Sequence, residues 1–176
     1  MLRRSVVLTS LFCAILFVGG CGAFDRVTYT PSYVLSFYQH VEYFGLVEVA
    51  EDELIDEVTG KSYWVNKNQF FDSRTIEAVK ILPIEGNPNY VNLAFKLDKA
   101  GASRWVSLLG SSSGSSVVVT IDGKFYDCFL QKLDVLEDKT TWVKCAAKFD
   151  MLTARGIVEY APKNYKYYSP KATSWF

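Results

Sequence analysis

The sequence predicts an α+β domain in which helices pack on one face of a mostly antiparallel sheet, in a ferredoxin-like arrangement. Three observations support this fold class. Apolar and polar residues alternate over residues 91–97, apolar residues recur at helical spacing over 102–109, and the pair Asp122-Gly123 joins two strand-like segments. Period-two alternation is typical of a half-buried strand, and Asp-Gly is typical of a two-residue hairpin turn.

The composition suits a single folded domain. The chain has 176 residues, of which 49% are hydrophobic and 15% aromatic, so it can bury a core. Lysine plus arginine equals aspartate plus glutamate at 19 each. Because no strong electrostatic field results, we do not expect nucleic acid as a partner.

The first predicted strands, residues 44–49 and 62–65, enclose an acidic connection. Its acids do not alternate around an internal glycine as in an EF-hand loop, so we expect a solvated turn and no metal site. Asp72 or Ser73 caps a short turn, and the next strand, 78–82, ends at Pro83.

The later elements follow from turn and capping residues. Asp98 caps a helix that Gly110 closes, and Asp150 caps a final helix. Between the two helices the sequence predicts strands at 117–121, 124–130 and 141–149. The order from residue 78 is therefore strand, strand, helix, strand, strand, strand, helix.

The amino terminus has the order of an export signal. Arg3 and Arg4 precede an uncharged, largely apolar stretch at residues 5–20, which is shorter than the roughly 20 residues that span a bilayer. Val18-Gly19-Gly20-Cys21 then resembles the lipobox of bacterial lipoproteins. The alternative is an ordinary signal peptide followed by an incidental cysteine.

The lipobox resemblance implies cleavage before Cys21 and lipidation of that residue. Several acyl chains would hold the mature chain on a membrane outside the cytoplasm. Because Gly22 stands where an aspartate would favour inner-membrane retention in enterobacterial-type sorting, we expect the outer membrane, facing the periplasm, where two membranes exist.

Two cysteines remain in the mature domain, since Cys13 lies in the signal and Cys21 carries lipid. Cys128 and Cys145 lie on predicted strands in a compartment that permits disulfides. They form either a disulfide or two small buried thiols that point to different places. Together with a single histidine, His40, they do not make a zinc site.

The middle of the chain resembles the head of the first periplasmic domain of the protein-export subunit SecD. The resemblance rests on residues 76–79, the strand 91–97, Gly101-Ala102 followed by Trp105, and residues 117–123 with Tyr126, and it covers about residues 62–160. It implies a ferredoxin-like head that contacts exported polypeptide. Only this scaffold is expected to carry over, because no transmembrane bundle is predicted.

The predicted organisation has four parts. They are a signal peptide at 1–20, a lipidated amino terminus and tether at 21–43, a SecD-head-like domain at 44–160, and an aromatic and basic tail at 161–176. The tail either docks a partner or packs on its own domain. Its candidate partner-binding residues are Tyr165, Tyr167, Tyr168, Trp175 and Phe176.

Catalysis is not expected. Residues 110–114 match the G-x-S-x-G pattern around Ser112, but a helix is predicted before this serine, a strand after it, and His40 lies upstream. We therefore expect a noncatalytic, membrane-anchored accessory lipoprotein, without cofactor, that binds an envelope protein or an exported polypeptide. The alternative is a lipoprotein that binds a small ligand or glycan through the tail and a sheet face.

Overall fold

The computed structural model describes residues 29–42, 51–111, 116–131 and 142–168. The signal peptide, Cys21, the predicted strand at 44–49, Ser112, Trp175 and Phe176 lie outside these ranges. The described residues from Pro31 onward belong to one compact unit, which contains all the strands and helices of the described ranges.

The fold is α+β with antiparallel strand pairing, as the sequence predicts. Its elements in chain order are β1 (Leu35–Val41), β2 (Glu51–Ile55), β3 (Ser62–Asp72), a 3-10 helix (Ser73–Thr75), β4 (Ile76–Ile84), β5 (Asn87–Leu97), α1 (Lys99–Ser111), β6 (Val117–Ile121), β7 (Lys124–Phe129), β8 (Trp142–Asp150) and α2 (Met151–Tyr168).

The strands form two sheets rather than one. A five-stranded sheet has the order β2-β3-β1-β6-β7, and a three-stranded sheet has the order β4-β5-β8. The five strands that the sequence places after residue 76 are thus divided, because the β6–β7 hairpin pairs with β1 instead of β5. The 3-10 helix turns the chain from one sheet to the other.

One hydrophobic core contains side chains from both sheets and both helices. Phe37 of β1, Phe71 of β3, Phe95 of β5 and Trp105 of α1 are all buried and pack ring against ring at centroid distances of 5.2 to 6.4 Å. Ile157 of α2 belongs to the same cluster. The core therefore holds the two sheets and both helices together.

The structure corrects both ends of the predicted domain. Residues within 21–43 were expected to be a tether, but Leu35 and Phe37 are core residues on β1, the middle strand of its sheet. At the other end, α2 continues through Pro162 to Tyr168, so residues 161–168 are helical rather than a separate tail. Buried Asn164 donates from Nδ2 to the Ser32 carbonyl at 2.8 Å, which holds this last part of the helix.

Two further predictions change in detail. Pro83 does not end its strand: it lies inside β4, at a bulge of an edge strand, where a missing N–H costs no ladder hydrogen bond. The acidic connection contains a strand, β2, and the turn after it is closed by the Asp56 carboxylate, which accepts from Val58 N. Glu57 and Lys124 form an exposed ion pair at 3.0 Å.

The predicted caps and the hairpin turn are confirmed. Asp98 accepts the Gly101 N–H at 2.7 Å, and Asp150 accepts the Thr153 N–H at 2.9 Å. Asp122 and Gly123 have φ values of +51° and +80°, the left-handed pair that a type I′ hairpin needs.

Side chains from β7 and the residues after it cover the outer edge of β8. The N–H groups of Ala146, Lys148 and Asp150 donate to Gln131 Oε1 at 2.8 Å, Asp127 Oδ2 at 3.3 Å and the Tyr126 hydroxyl at 3.0 Å. Backbone groups at this edge are thus satisfied without a neighbouring strand.

Candidate functional site

A pocket of about 420 Å³ lies where β1, the 3-10 helix and the end of α2 meet. Its volume falls within the range typical of ligand sites. The residues that line it are Val34, Ser36, Tyr38, Asp72, Ser73, Arg74 and Tyr168. We call it the Tyr168 pocket.

The floor of the Tyr168 pocket is fixed by the cap of the 3-10 helix. Asp72 Oδ1 accepts the Arg74 N–H at 2.9 Å, which is the capping bond, and the Ser73 hydroxyl accepts the Leu35 N–H at 2.8 Å. The first bond shapes the turn and the second joins it to β1. The polar groups of the floor are therefore positioned by backbone contacts rather than by loose side chains.

Arg74 and Asp72 form an ion pair inside the pocket. Asp72 Oδ2 accepts from Nε of Arg74 at 2.8 Å and also from Nη2. The carboxylate side chain is 6% exposed, whereas the arginine side chain is 51% exposed. This hydrogen bonding raises the pKa of Arg74. Because the two charges compensate each other, the pocket presents a polar guanidinium surface with little net charge.

Tyr168 forms the wall that α2 contributes. It is 36% exposed, and its ring meets that of Tyr167 edge to face at a centroid distance of 5.1 Å. Burial raises the pKa of the Tyr168 hydroxyl, and the nearby Tyr167 and Asp72 raise it further. Tyr168, Tyr38 and the Arg74 guanidinium all line this opening. Residues of these types dominate binding energy at many interfaces.

Val34, another lining residue of the pocket, is held by the turn between β6 and β7. Asp122 accepts the N–H groups of Tyr33 and Val34, at 3.1 and 2.8 Å, and its own N–H donates to the Val34 carbonyl at 2.9 Å. Tyr33 packs against α2, where Gly156 leaves room for its ring, which a Cβ at that position would clash with. Val34 therefore has a fixed place in the pocket.

The predicted partner-binding residues are only partly together. Tyr168 lines the pocket and Tyr167 contacts its ring, but the Tyr165 hydroxyl instead donates to Asp98 Oδ2 at 3.3 Å, at the start of α1. The sequence analysis missed Arg74 and Tyr38. In the sequence, Asp72, Ser73 and Arg74 directly follow two phenylalanines at the end of a strand. This pattern predicts only that Asp72 or Ser73 caps a short turn.

The two cysteines are free thiols in different sheets; Cys145 is buried, whereas Cys128 is only partly buried. Burial raises the pKa of Cys128 and raises that of fully buried Cys145 to about 12. A thiol with a raised pKa is a poor nucleophile and a poor metal ligand at neutral pH.

His40 packs against an aromatic side chain on β3. Its ring lies 5.9 Å from that of Tyr63, and burial, followed by the charge of Lys61, lowers its pKa. In the part of the chain that the structure describes, no three histidine, cysteine or acidic residues come together as metal ligands. Within the same ranges, neither helix is long and apolar enough to cross a membrane.

Comparison of the chain with known protein families, with curated proteins and with solved structures gives no match. The functional interpretation therefore rests on the sequence motifs and on the geometry of the site.

Proposed function

We propose that the chain is a noncatalytic envelope lipoprotein, anchored through Cys21, that binds a protein partner at the Tyr168 pocket. The observation that carries the binding proposal is the convergence of Tyr168, Tyr38 and half-exposed Arg74 at one opening. Aromatic and arginine side chains contribute most to protein interfaces because they combine a large apolar area with directional donors.

The lipid anchor rests on the motif before Cys21. The basic pair, the apolar stretch of 16 residues and Gly19-Gly20 precede the cysteine in the order that a lipoprotein signal has. The outer membrane, facing the periplasm, is the expected location where two membranes exist.

We also propose that residues from β4 to α2 are related to the ferredoxin-like head of SecD. The support is the sequence resemblance of residues 76–79, 91–97 and 117–123, together with the order hairpin, helix, hairpin, strand, helix that this chain has. The placing of the β6–β7 hairpin in a separate sheet is a departure from a single ferredoxin-like sheet. On this relation, the partner would be an exported polypeptide.

A second candidate function is favoured by the size and lining of the same site. A pocket of about 420 Å³ with aromatic walls also suits a small ligand or a sugar. Because Asp72 already neutralises the charge of Arg74, the pocket then suits a neutral ligand better than an anion.

Crosslinking in intact cells separates these candidates. A photoreactive amino acid replaces Tyr168 in one variant and Val58, 93% exposed on the turn after β2, in a matched control. Discrete protein adducts at position 168 and not at 58 support the partner proposal. Glycan or small-molecule adducts at 168 instead support the second candidate, and equal labelling at both positions contradicts both.

A further inference from the structure

The three-stranded sheet has a face that points away from the core. Val143, Cys145, Ala147 and Phe149 of β8 are buried in the core, so the residues between them lie on the opposite side. The buried side chains of both helices belong to the core cluster, so the helices pack on the inner side of this sheet.

Lysine is the commonest residue on the central part of this outer face. We define the basic face by six residues: Lys80 of β4, Ala94 and Lys96 of β5, and Trp142, Lys144 and Lys148 of β8. The register places five of them in adjacent rows, and Lys148 follows on the same face of β8. Ala94 lies between Lys80 and Lys144, and Lys96 lies beside Trp142. Because neighbouring strands are about 4.8 Å apart, the Cα atoms of Lys80 and Lys144 are about 10 Å apart.

Within the residues that the structure describes, three of the four lysines of the basic face form no ion pair. Lys96 pairs with Glu77 at 2.7 Å, but within the described ranges no carboxylate forms an ion pair with Lys80, Lys144 or Lys148. Two nearby carboxylates already have other donors. Asp150, at the end of β8, binds the Tyr126 hydroxyl and the Thr153 N–H, and Asp127 accepts the backbone N–H groups of Cys128 and Lys148. Three exposed ammonium groups therefore lie on one sheet face of a chain whose overall charge is zero.

An aromatic ring lies among these charges. Lys80 Nζ is 4.0 Å from the centroid of the Trp142 ring, a cation–π contact on the surface of the sheet. Tryptophan and lysine are the side chains that lie at the headgroup level of membranes, because each combines an apolar body with a polar end.

We propose that the basic face docks on the anionic headgroups of the membrane to which the chain is anchored. This inference rests on the proposed lipid at Cys21. A sheet face presents its lysines in one layer, which matches a flat anionic surface, and each lysine near such a surface contributes roughly 1 kcal/mol. Ten residue steps separate Cys21 from Pro31 and span at most about 36 Å, so the body stays within reach of the bilayer.

Docking at this face would fix the orientation of the folded domain relative to the membrane. A contact too weak to recruit a free protein is sufficient for a tethered one, because the tether supplies a high effective concentration. The Tyr168 pocket lies on other elements, β1, the 3-10 helix and α2, and so does not overlap with the face that meets the lipid.

The test is lysine labelling of the full mature chain in vesicles. The purified lipoprotein is reconstituted in phosphatidylcholine alone or with about 30% phosphatidylglycerol, treated with an amine-reactive reagent and analysed residue by residue by mass spectrometry. We expect anionic lipid to slow the labelling of Lys80, Lys144 and Lys148, and about 0.5 M salt to restore it. Lys99 and Lys61, on other elements, should label equally in both vesicles.

A double variant sharpens the test. Lys144→Gln with Lys148→Gln should weaken docking about 30-fold, from two contributions of roughly 1 kcal/mol each, and so expose Lys80 again on anionic vesicles. The matched control is Lys61→Gln with Lys99→Gln, which should leave Lys80 protected. Equal labelling of Lys80 in the two variants would overturn the proposal.

Other outcomes separate this proposal from the lipid anchor. Lipid found on Cys21 by mass spectrometry, without lysine protection on anionic vesicles, overturns only the docking. Unmodified Cys21 in protein from intact cells overturns the anchor and the docking together. Protection by soluble heparin but not by vesicles would assign the basic face to an anionic polysaccharide and contradict membrane docking.

Discussion

Replacing Phe37 with alanine tests whether β1 is part of the core. The Phe37 ring is fully buried and lies 5.5 Å from Phe71, 5.6 Å from Phe95 and 5.9 Å from Trp105, measured between ring centroids. Truncation of a phenylalanine in such a site lowers the free energy of unfolding by about 3 to 5 kcal/mol. Replacement of a residue in a tether would instead change the free energy of unfolding by less than about 0.5 kcal/mol.

Urea unfolding followed by tryptophan fluorescence measures this difference. With a slope of about 2 kcal/mol per molar urea, a loss of about 4 kcal/mol moves the midpoint down by about 2 M. The same loss lowers Tm by about 10 °C for a domain of this size. Phe37→Leu keeps most of the apolar volume, so it should lower the free energy of unfolding clearly less than Phe37→Ala does.

The matched control for Phe37→Ala is Val58→Ala, at a position that is 93% exposed. Its midpoint should stay within about 0.3 M of the parent, since surface substitutions change stability by less than about 0.5 kcal/mol. If Phe37→Ala behaves like the control, β1 is not packed in the core and the division of the strands into two sheets is incorrect.

Three further measurements test other parts of the structure. Asp98→Ala removes the cap of α1 and should lower the free energy of unfolding by about 1 kcal/mol in urea titrations; an unchanged midpoint would contradict the cap. Mature protein unfolded without reductant should give two titratable thiols, Cys128 and Cys145, whereas a disulfide would give none. Tyr126 has its pKa raised from 10.0 to about 12, chiefly by burial, so the unfolded chain loses that proton first as the pH rises. Stability should be full below about pH 10 and fall toward about pH 12, less steeply in Tyr126→Phe; identical pH profiles would exclude this effect.

The sequence predicted those elements whose local signals agree with the tertiary structure. The alternation before Leu97, the Asp98 cap and the Asp122-Gly123 turn each specify a conformation within a few residues, and the structure has all three. Such short-range signals do not specify which strand pairs with which. The assignment of the β6–β7 hairpin to the sheet of β1 therefore could not be predicted.

Local signals failed where long-range contacts decide the conformation. In β1 only Leu35 and Phe37 are buried and the residues after them are partly exposed on both faces, so no clean period indicates a strand. In α2, Pro162 favours an earlier helix end, but buried Ala161 and Asn164 hold the helix beyond it.

The same limit applies to the Tyr168 pocket. Its residues come from three segments, around positions 34–38, 72–74 and 168, that are distant in the sequence. Tyr168 could be singled out as an aromatic residue near the carboxyl terminus, but Arg74 could not be assigned to it without the fold.

The side chains of Tyr126, Asp127 and Gln131 close the edge of β8 to strand addition. A strand from another molecule would have to displace three existing hydrogen bonds in order to form its own. The total number of hydrogen bonds would therefore hardly increase. Membrane attachment confines copies of a protein to two dimensions, where they collide often and an open edge would promote aggregation. If the chain is anchored through Cys21 as proposed, the covered edge of β8 allows neighbouring copies to collide and separate without joining there into a continuous sheet.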